Sequence, residues 1–278
     1  MNTAPRNEQE ARALTTAHVA PLAVFLGFML LLQVVGAAIT WKHPDAPWWR
    51  RAPEHWMYPL QTLVVLGLLL RGWKYYEFRW SAKGVLAGIA CGAIGIGLWL
   101  LPTTLYDRLG LDADPEGWRA WLGVAARKEG FDPGVFQSPA AWWTVVVLRF
   151  FRAVVVVALA EEIFWRGFMM RFLLTMIPTV STSPSVWVRR LMRLVPDWKG
   201  EWWQQPFGKP SWVSYLVVTG LFTGVHMGPD RAMAFLYGSI TYLLCIRSKS
   251  LGACVAMHAT ANLLMCLYIV AYGKYGLW

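Results

Sequence analysis

The chain has 278 residues, of which 56% are hydrophobic and only 15% charged, with 18 tryptophans and a mean hydropathy of +0.39. A soluble domain of this length carries more charge, and apolar runs of about 20 residues recur along the chain, the signature of membrane-spanning helices. The net charge of +10 invites a nucleic-acid reading, but the lysines and arginines fall mostly between the apolar runs, where they hold a membrane topology, so no nucleic-acid partner is expected.

In chain order, residues 1–18 are polar and read as a mobile cytoplasmic tail. The apolar run at 19–41 is too long for the core of a signal peptide and predicts a retained first span. A second span is expected near 56–70, with Trp and Tyr at its ends as interfacial anchors. The third, near 84–101, carries Gly84, Gly88, Gly92, Gly95 and Gly97; small residues let helices approach closely in lipid, which places it inside the bundle. In the polar connection that follows, Asp114-Pro115-Glu116 has the form of an N-cap and first turn. Trp118, Trp121, Leu122 and Ala125 then recur at helical spacing before Gly130, which predicts a short helix on the membrane surface. A long fourth span covers 142–176, and Pro178 breaks it. Residues 186–195, with Arg189, Arg190 and Arg193, fit a basic amphipathic surface helix.

Spans five, six and seven are expected at 211–227, 231–246 and 251–272. The fold class is therefore all-α: a polytopic membrane bundle of about seven transmembrane helices plus one or two surface amphipathic helices. With the N-terminus cytoplasmic, the inner segments hold 14 Lys and Arg against 9 in the outer ones, which favours that orientation. The four cysteines (Cys91, Cys245, Cys254, Cys266) lie in apolar stretches without CxxC spacing and read as buried thiols.

Three constellations place strongly polar groups inside apolar spans. The first is Glu161, Glu162 and Arg166. An ionised group at membrane depth persists mainly when paired or useful. Glu162 and Arg166 are four apart and share a helix face, so they can neutralise each other. Glu161 is turned away by about 100° and lacks that partner, which leaves one carboxylate held by a cation and its neighbour free to titrate. The second constellation is Phe222 with His226, closing span five, and the third is His258 with Asn262 in span seven; each pair is four residues apart. Counted along antiparallel helices, Glu161 and His226 reach similar depth, whereas His258 lies nearer its own turn and its level is open.

Glu-Glu-x-x-x-Arg, then Phe-x-x-x-His, then His-x-x-x-Asn, in that order on late spans, resembles the CAAX-protease and bacteriocin-processing (CPBP, or Abi) family of intramembrane endopeptidases. The resemblance covers roughly residues 140–270, and all three motifs are intact. It implies a catalytic helix core over 139–278, with 178–210 as an insertion longer than usual for the family, behind N-terminal spans and an outer loop over 19–138. It further implies a membrane-associated peptide or protein substrate, anchored or lipid-modified, cut by water that Glu161 and His226 activate. His258 and Asn262 would bind that water or stabilise the oxyanion, and Glu162, Arg166 and Phe222 would support. A zinc version is chemically open, with His226, His258 and Glu161 as ligands, and the family was long classed as metalloproteases. The asparagine of the third motif suits the metal-free, glutamic mechanism better, so no cofactor is favoured. Two readings from other classes are a catalytically silent scaffold or immunity protein and a small proton-coupled carrier. The intact motifs weigh against the first, and the lack of paired repeats against the second. The motifs of other intramembrane or zinc proteases (His-Glu-x-x-His, Gly-x-Ser-Gly, Gly-x-Gly-Asp) are absent from the sequence.

Overall fold

The computed structural model describes residues 5, 7–41, 43, 45–111, 116–119, 130, 132–176, 201–226 and 231–278. The surface helix expected at 114–130, in all but a few residues, and the basic segment at 186–195 lie outside the described residues. So does most of the 178–210 insertion.

Seven long helices make up the described bundle, one for each expected span: α1 (Glu8–Ile39), α2 (Glu54–Gly72), α3 (Ala82–Arg108), α4 (Pro139–Met176), α5 (Trp212–Val225), α6 (Arg231–Ser248) and α7 (Leu251–Tyr272). No strand occurs among the described residues. Helices α1, α3, α4 and α7 are long and apolar enough to cross a bilayer on their own account, while α5 is apolar but shorter. In lipid, only a structure that satisfies its backbone internally can span, and a bundle of long apolar helices meets that demand. The protein is integral to the membrane.

The N-terminal reading needs correction. Helix α1 begins at Glu8, inside the segment expected to be a mobile tail, because Asn7 accepts a hydrogen bond from Glu10 N at 2.9 Å and acidic residues occupy the first turn. Burial then fixes this stretch. Leu14, Thr15, Ala17 and His18 are buried, and the Trp202 indole donates to Thr15 Oγ1 at 3.0 Å.

Two contacts position the helices that carry the polar groups. Gln61 of α2 donates to Phe25 O of α1 at 2.8 Å and accepts from Arg152 Nε of α4 at 2.9 Å, so one buried amide links three spans. Helices α3 and α7 meet along the glycine stripe. A Cβ at Gly88 would strike the Ala253 carbonyl, and one at Gly92 would strike the Met257 carbonyl. The foot of α7 is pinned as well: Ser250 caps it by accepting from Ala253 N at 3.1 Å, and Gly252 N donates to Phe78 O at 2.6 Å. His258 is one residue beyond Met257, so the glycine stripe of α3 sets where its imidazole stands.

This predicts that Gly92→Val destabilises the protein by roughly 1–3 kcal/mol through overpacking. Gly97→Val, with nothing within 4 Å of its added Cβ, is expected to leave the thermal midpoint unchanged. Thermal unfolding of both variants in the same detergent, followed by tryptophan emission, checks the contrast.

Candidate active site

Helix α4 carries the diglutamate between two irregular stretches. Wide π turns occupy Arg152–Val157 and Ile163–Met169, and the short α segment Ala158–Glu162 lies between them. Single π turns inside α-helices occur frequently at functional sites, because they rephase the residues that follow. Here they bracket the charged pair.

The Glu162 side chain is 0% exposed. Its Oε1 accepts from Arg166 Nη1 at 3.1 Å, the i to i+4 pairing expected from the spacing, and also meets His258 Nδ1 of α7 at 2.9 Å. Because a carboxylate held by a guanidinium can only accept, Nδ1 of His258 is the donor, and the ring's Nε2 is the nitrogen left for other work. His258 therefore stands level with the diglutamate, which settles the depth that counting along the chain left open. The Arg166 guanidinium carbon also sits 5.3 Å from the centroid of the Phe222 ring, a cation–π contact that ties α5 to the same ion pair.

His226 ends α5 as its C-cap, with its ring 4.5 Å from that of Phe222. Its Nδ1 lies 2.8 Å from Phe222 O. A carbonyl oxygen cannot donate, so Nδ1 again carries the hydrogen and Nε2 of the neutral ring is an acceptor. The Trp99 ring of α3 meets His226 edge-on at 5.6 Å.

Glu161 is half-buried, and its Oε2 is buried without a hydrogen-bond partner among the described residues. Its charge acts on His258, Tyr237 and Arg152, but no hydrogen bond joins it to His226 among the described residues. Asn262 donates through Nδ2 to the Ala153 carbonyl of α4 at 2.7 Å, so half of its donor capacity is committed to the first π turn. Of the seven residues singled out in the sequence, Glu162, Arg166 and His258 are in direct contact. Phe222 joins them to His226, and Glu161 and Asn262 border the group. Around it, Glu161 Oε2, Glu162 Oε2, Trp165 Nε1, Arg166 Nε, Thr219 Oγ1 and Tyr237 Oη are all buried without a hydrogen-bond partner among the described residues. Buried polar atoms ordinarily find one, so a cluster of this kind suits a polar guest. Among the described residues no three His, Cys, Asp or Glu are gathered so that they could hold a metal ion; the trio that zinc would need, His226, His258 and Glu161, does not form such a set.

Sequence reading missed three contributors. Gln61, a lone amide within an apolar span, was a signal in plain view. Arg152 is a cation within the long apolar run at 142–176, but its bond to Gln61 crosses 91 residues of sequence. Tyr237 carried no signal at all, since a tyrosine in an apolar helix reads as core.

The geometry predicts a strong coupling between two side chains. Arg166→Met strands a buried carboxylate and is expected to cost roughly 3–5 kcal/mol, whereas adding Glu162→Leu recovers part of that loss. A double-mutant cycle by equilibrium unfolding in mixed micelles measures it, and additive effects would contradict the pairing.

No curated protein and no solved structure gives a match to the chain. A family model does match, over the segment that holds all three constellations: the one described as Type II CAAX prenyl endopeptidase Rce1-like, across residues 141–264. That segment begins just inside α4 and ends within α7, two residues past Asn262, and it agrees with the resemblance that the motifs carry. Residues 141–264 thus match the Rce1-like type II CAAX prenyl endopeptidase family, within a helical membrane protein.

Proposed function

We propose that the protein is an intramembrane endopeptidase that hydrolyses a peptide bond in a membrane-anchored or lipid-modified protein, using water activated by Glu161 and His226. One observation carries the reading. Of two adjacent acids, Glu162 is held by Arg166 and His258, while Glu161 keeps a buried oxygen with no hydrogen-bond partner among the described residues. An acid spared from pairing is the one able to take a proton.

The steps balance on this chain's own groups. Water donates one hydrogen to Glu161 and a hydrogen bond to His226 Nε2, and its oxygen adds to the scissile carbonyl carbon. The proton passes to Glu161 as the carbon–oxygen bond forms and negative charge moves to the carbonyl oxygen. The C–N bond then breaks, the charge returns to form the carboxyl product, and Glu161 gives its proton to the leaving amine. Glu162 and Arg166 keep His258 oriented throughout, as a carboxylate behind an imidazole does in other hydrolases.

The family match supports a membrane-associated substrate of the prenylated CAAX type. The charge bias of the loops supports a cytoplasmic N-terminus. Glu161→Gln is expected to lower the cleavage rate by at least about 10²-fold, the lower end of what general-base catalysis contributes, with the thermal midpoint unchanged. Full-length protein in proteoliposomes, assayed on an internally quenched farnesylated CAAX peptide, provides the measurement, and undiminished cleavage would overturn the assignment. In the same assay a chelator should have no effect; inhibition that added zinc reverses would replace the metal-free mechanism with the zinc one.

A further inference from the structure

Tyr237 of α6 stands between the two histidines. Its ring meets His258 edge-on with centroids 6.0 Å apart, lies near-parallel to Phe222 at 6.3 Å, and meets Trp99 edge-on at 5.8 Å; Trp99 in turn touches His226. Helix α3 makes room with Gly95, where an added Cβ would come within 2.9 Å of Tyr237 Cδ2. Tyr237 is 5% exposed, so the ring is enclosed on every side.

Its hydroxyl is another matter. Tyr237 Oη is buried and has no hydrogen-bond partner among the described residues, although it lies within electrostatic reach of Glu162, Arg166 and Glu161. The buried tyrosines elsewhere behave differently: Tyr76 donates to Ala17 O at 2.9 Å and Tyr242 to Ser211 O at 2.9 Å. Polar neighbours on the same helix are also satisfied, with Thr241 Oγ1 donating to Tyr237 O at 2.9 Å. Phenylalanine would fill the Tyr237 space without burying an unpaired O–H. The phenol therefore costs stability in the resting protein, and it does so beside His258 of the candidate site. Arg166 gives Nη1 to Glu162 and Asn262 gives one hydrogen to Ala153 O; of the donors unpartnered among the described residues, Trp165 Nε1, Arg166 Nε, Thr219 Oγ1 and Tyr237 Oη, only the phenol belongs to a ring that packs against His258.

We propose that Tyr237 is a further catalytic residue of this site, its O–H donating a hydrogen bond to the scissile carbonyl oxygen and to the oxyanion that forms there. This rests on the protease reading above. The hydrogen stays on Tyr237 throughout. The bond strengthens as water adds and charge builds on the carbonyl oxygen, and weakens as the C–N bond breaks, so it acts mainly on the transition state.

The test compares wild type, Tyr237→Phe and Glu161→Gln as full-length protein in proteoliposomes, with the quenched farnesylated CAAX peptide as probe. Tyr237→Phe is expected to lower kcat about 10²-fold, as loss of one oxyanion donor does, with KM within about twofold and a thermal midpoint equal to or above that of wild type. Wild-type kcat in Tyr237→Phe, alongside an inactive Glu161→Gln, overturns the role of Tyr237 and leaves the protease reading standing. A fall in midpoint that accompanies the fall in rate assigns the hydroxyl to structure and overturns it as well. A peptide that wild type leaves uncut, or that Glu161→Gln cuts as fast, overturns the protease reading and this one with it.

Discussion

The arrangement depends on one buried carboxylate. Glu162 is fully enclosed at a depth where an isolated charge costs several kcal/mol, and it is tolerated because two donors from different parts of the chain meet it. Arg166 comes from the next turn of the same helix. His258 comes from α7, 96 residues away. Removing either donor leaves a charge with too few partners, so the ion pair and the imidazole stand or fall together. The carboxylate thereby ties α4 to α7, and the Phe222 ring under Arg166 brings in α5. A cluster of polar groups that would be a liability in an apolar bundle becomes its register mark.

That register has a mechanical support outside the site. Helix α7 approaches α3 closely enough that backbone carbonyls replace side chains at Gly88 and Gly92, which fixes the height of His258. On the other side, Gln61 and Arg152 hold α4 against α1 and α2 where the first π turn begins. The second π turn starts at Ile163, directly after the diglutamate. Just past it, Ser214 of α5 donates to Met170 O at 2.8 Å, so helix α4 is held on both sides of its charged segment and the rephasing by the π turns is confined between fixed points. Preorganisation of this kind is what an electrostatic site needs, since a loosely held dipole does little for a transition state.

How far the sequence could be read follows from which interactions are local. The seven helices were legible because apolar length is a local property, and the Glu162–Arg166 pair was legible because helix geometry brings i and i+4 together. The glycine stripe announced a close helix contact, although not its partner. What stayed hidden was set by distant parts of the chain. The first turns of α1 looked like a tail because their burial comes from Trp202, 187 residues further on. His258 could not be placed in depth until α3 was known to carry it. Tyr237 looked like core, and by packing it is; what distinguishes it is that its oxygen has no hydrogen-bond partner among the described residues, and no sequence records that.

The two histidines share one device and differ in a way that assigns them different work. Each fixes its ring through Nδ1 and presents Nε2, but His226 leans on a backbone carbonyl and His258 on a carboxylate. A carbonyl partner fixes the neutral tautomer in which Nε2 accepts, which is the state needed to receive a hydrogen from water. A carboxylate partner accommodates a ring with hydrogens on both nitrogens, because the anion behind it balances the charge. Within the proposed mechanism His226 therefore belongs on the side of the nucleophile, and His258 on the side where negative charge develops. Tyr237 faces that second side too, edge-on to His258. The free acid and the acceptor imidazole would then handle the water, and the phenol and the second imidazole the carbonyl oxygen. Nucleophile and oxyanion would be served by different helices, joined through the rings of Phe222 and Trp99 and through the buried Glu162.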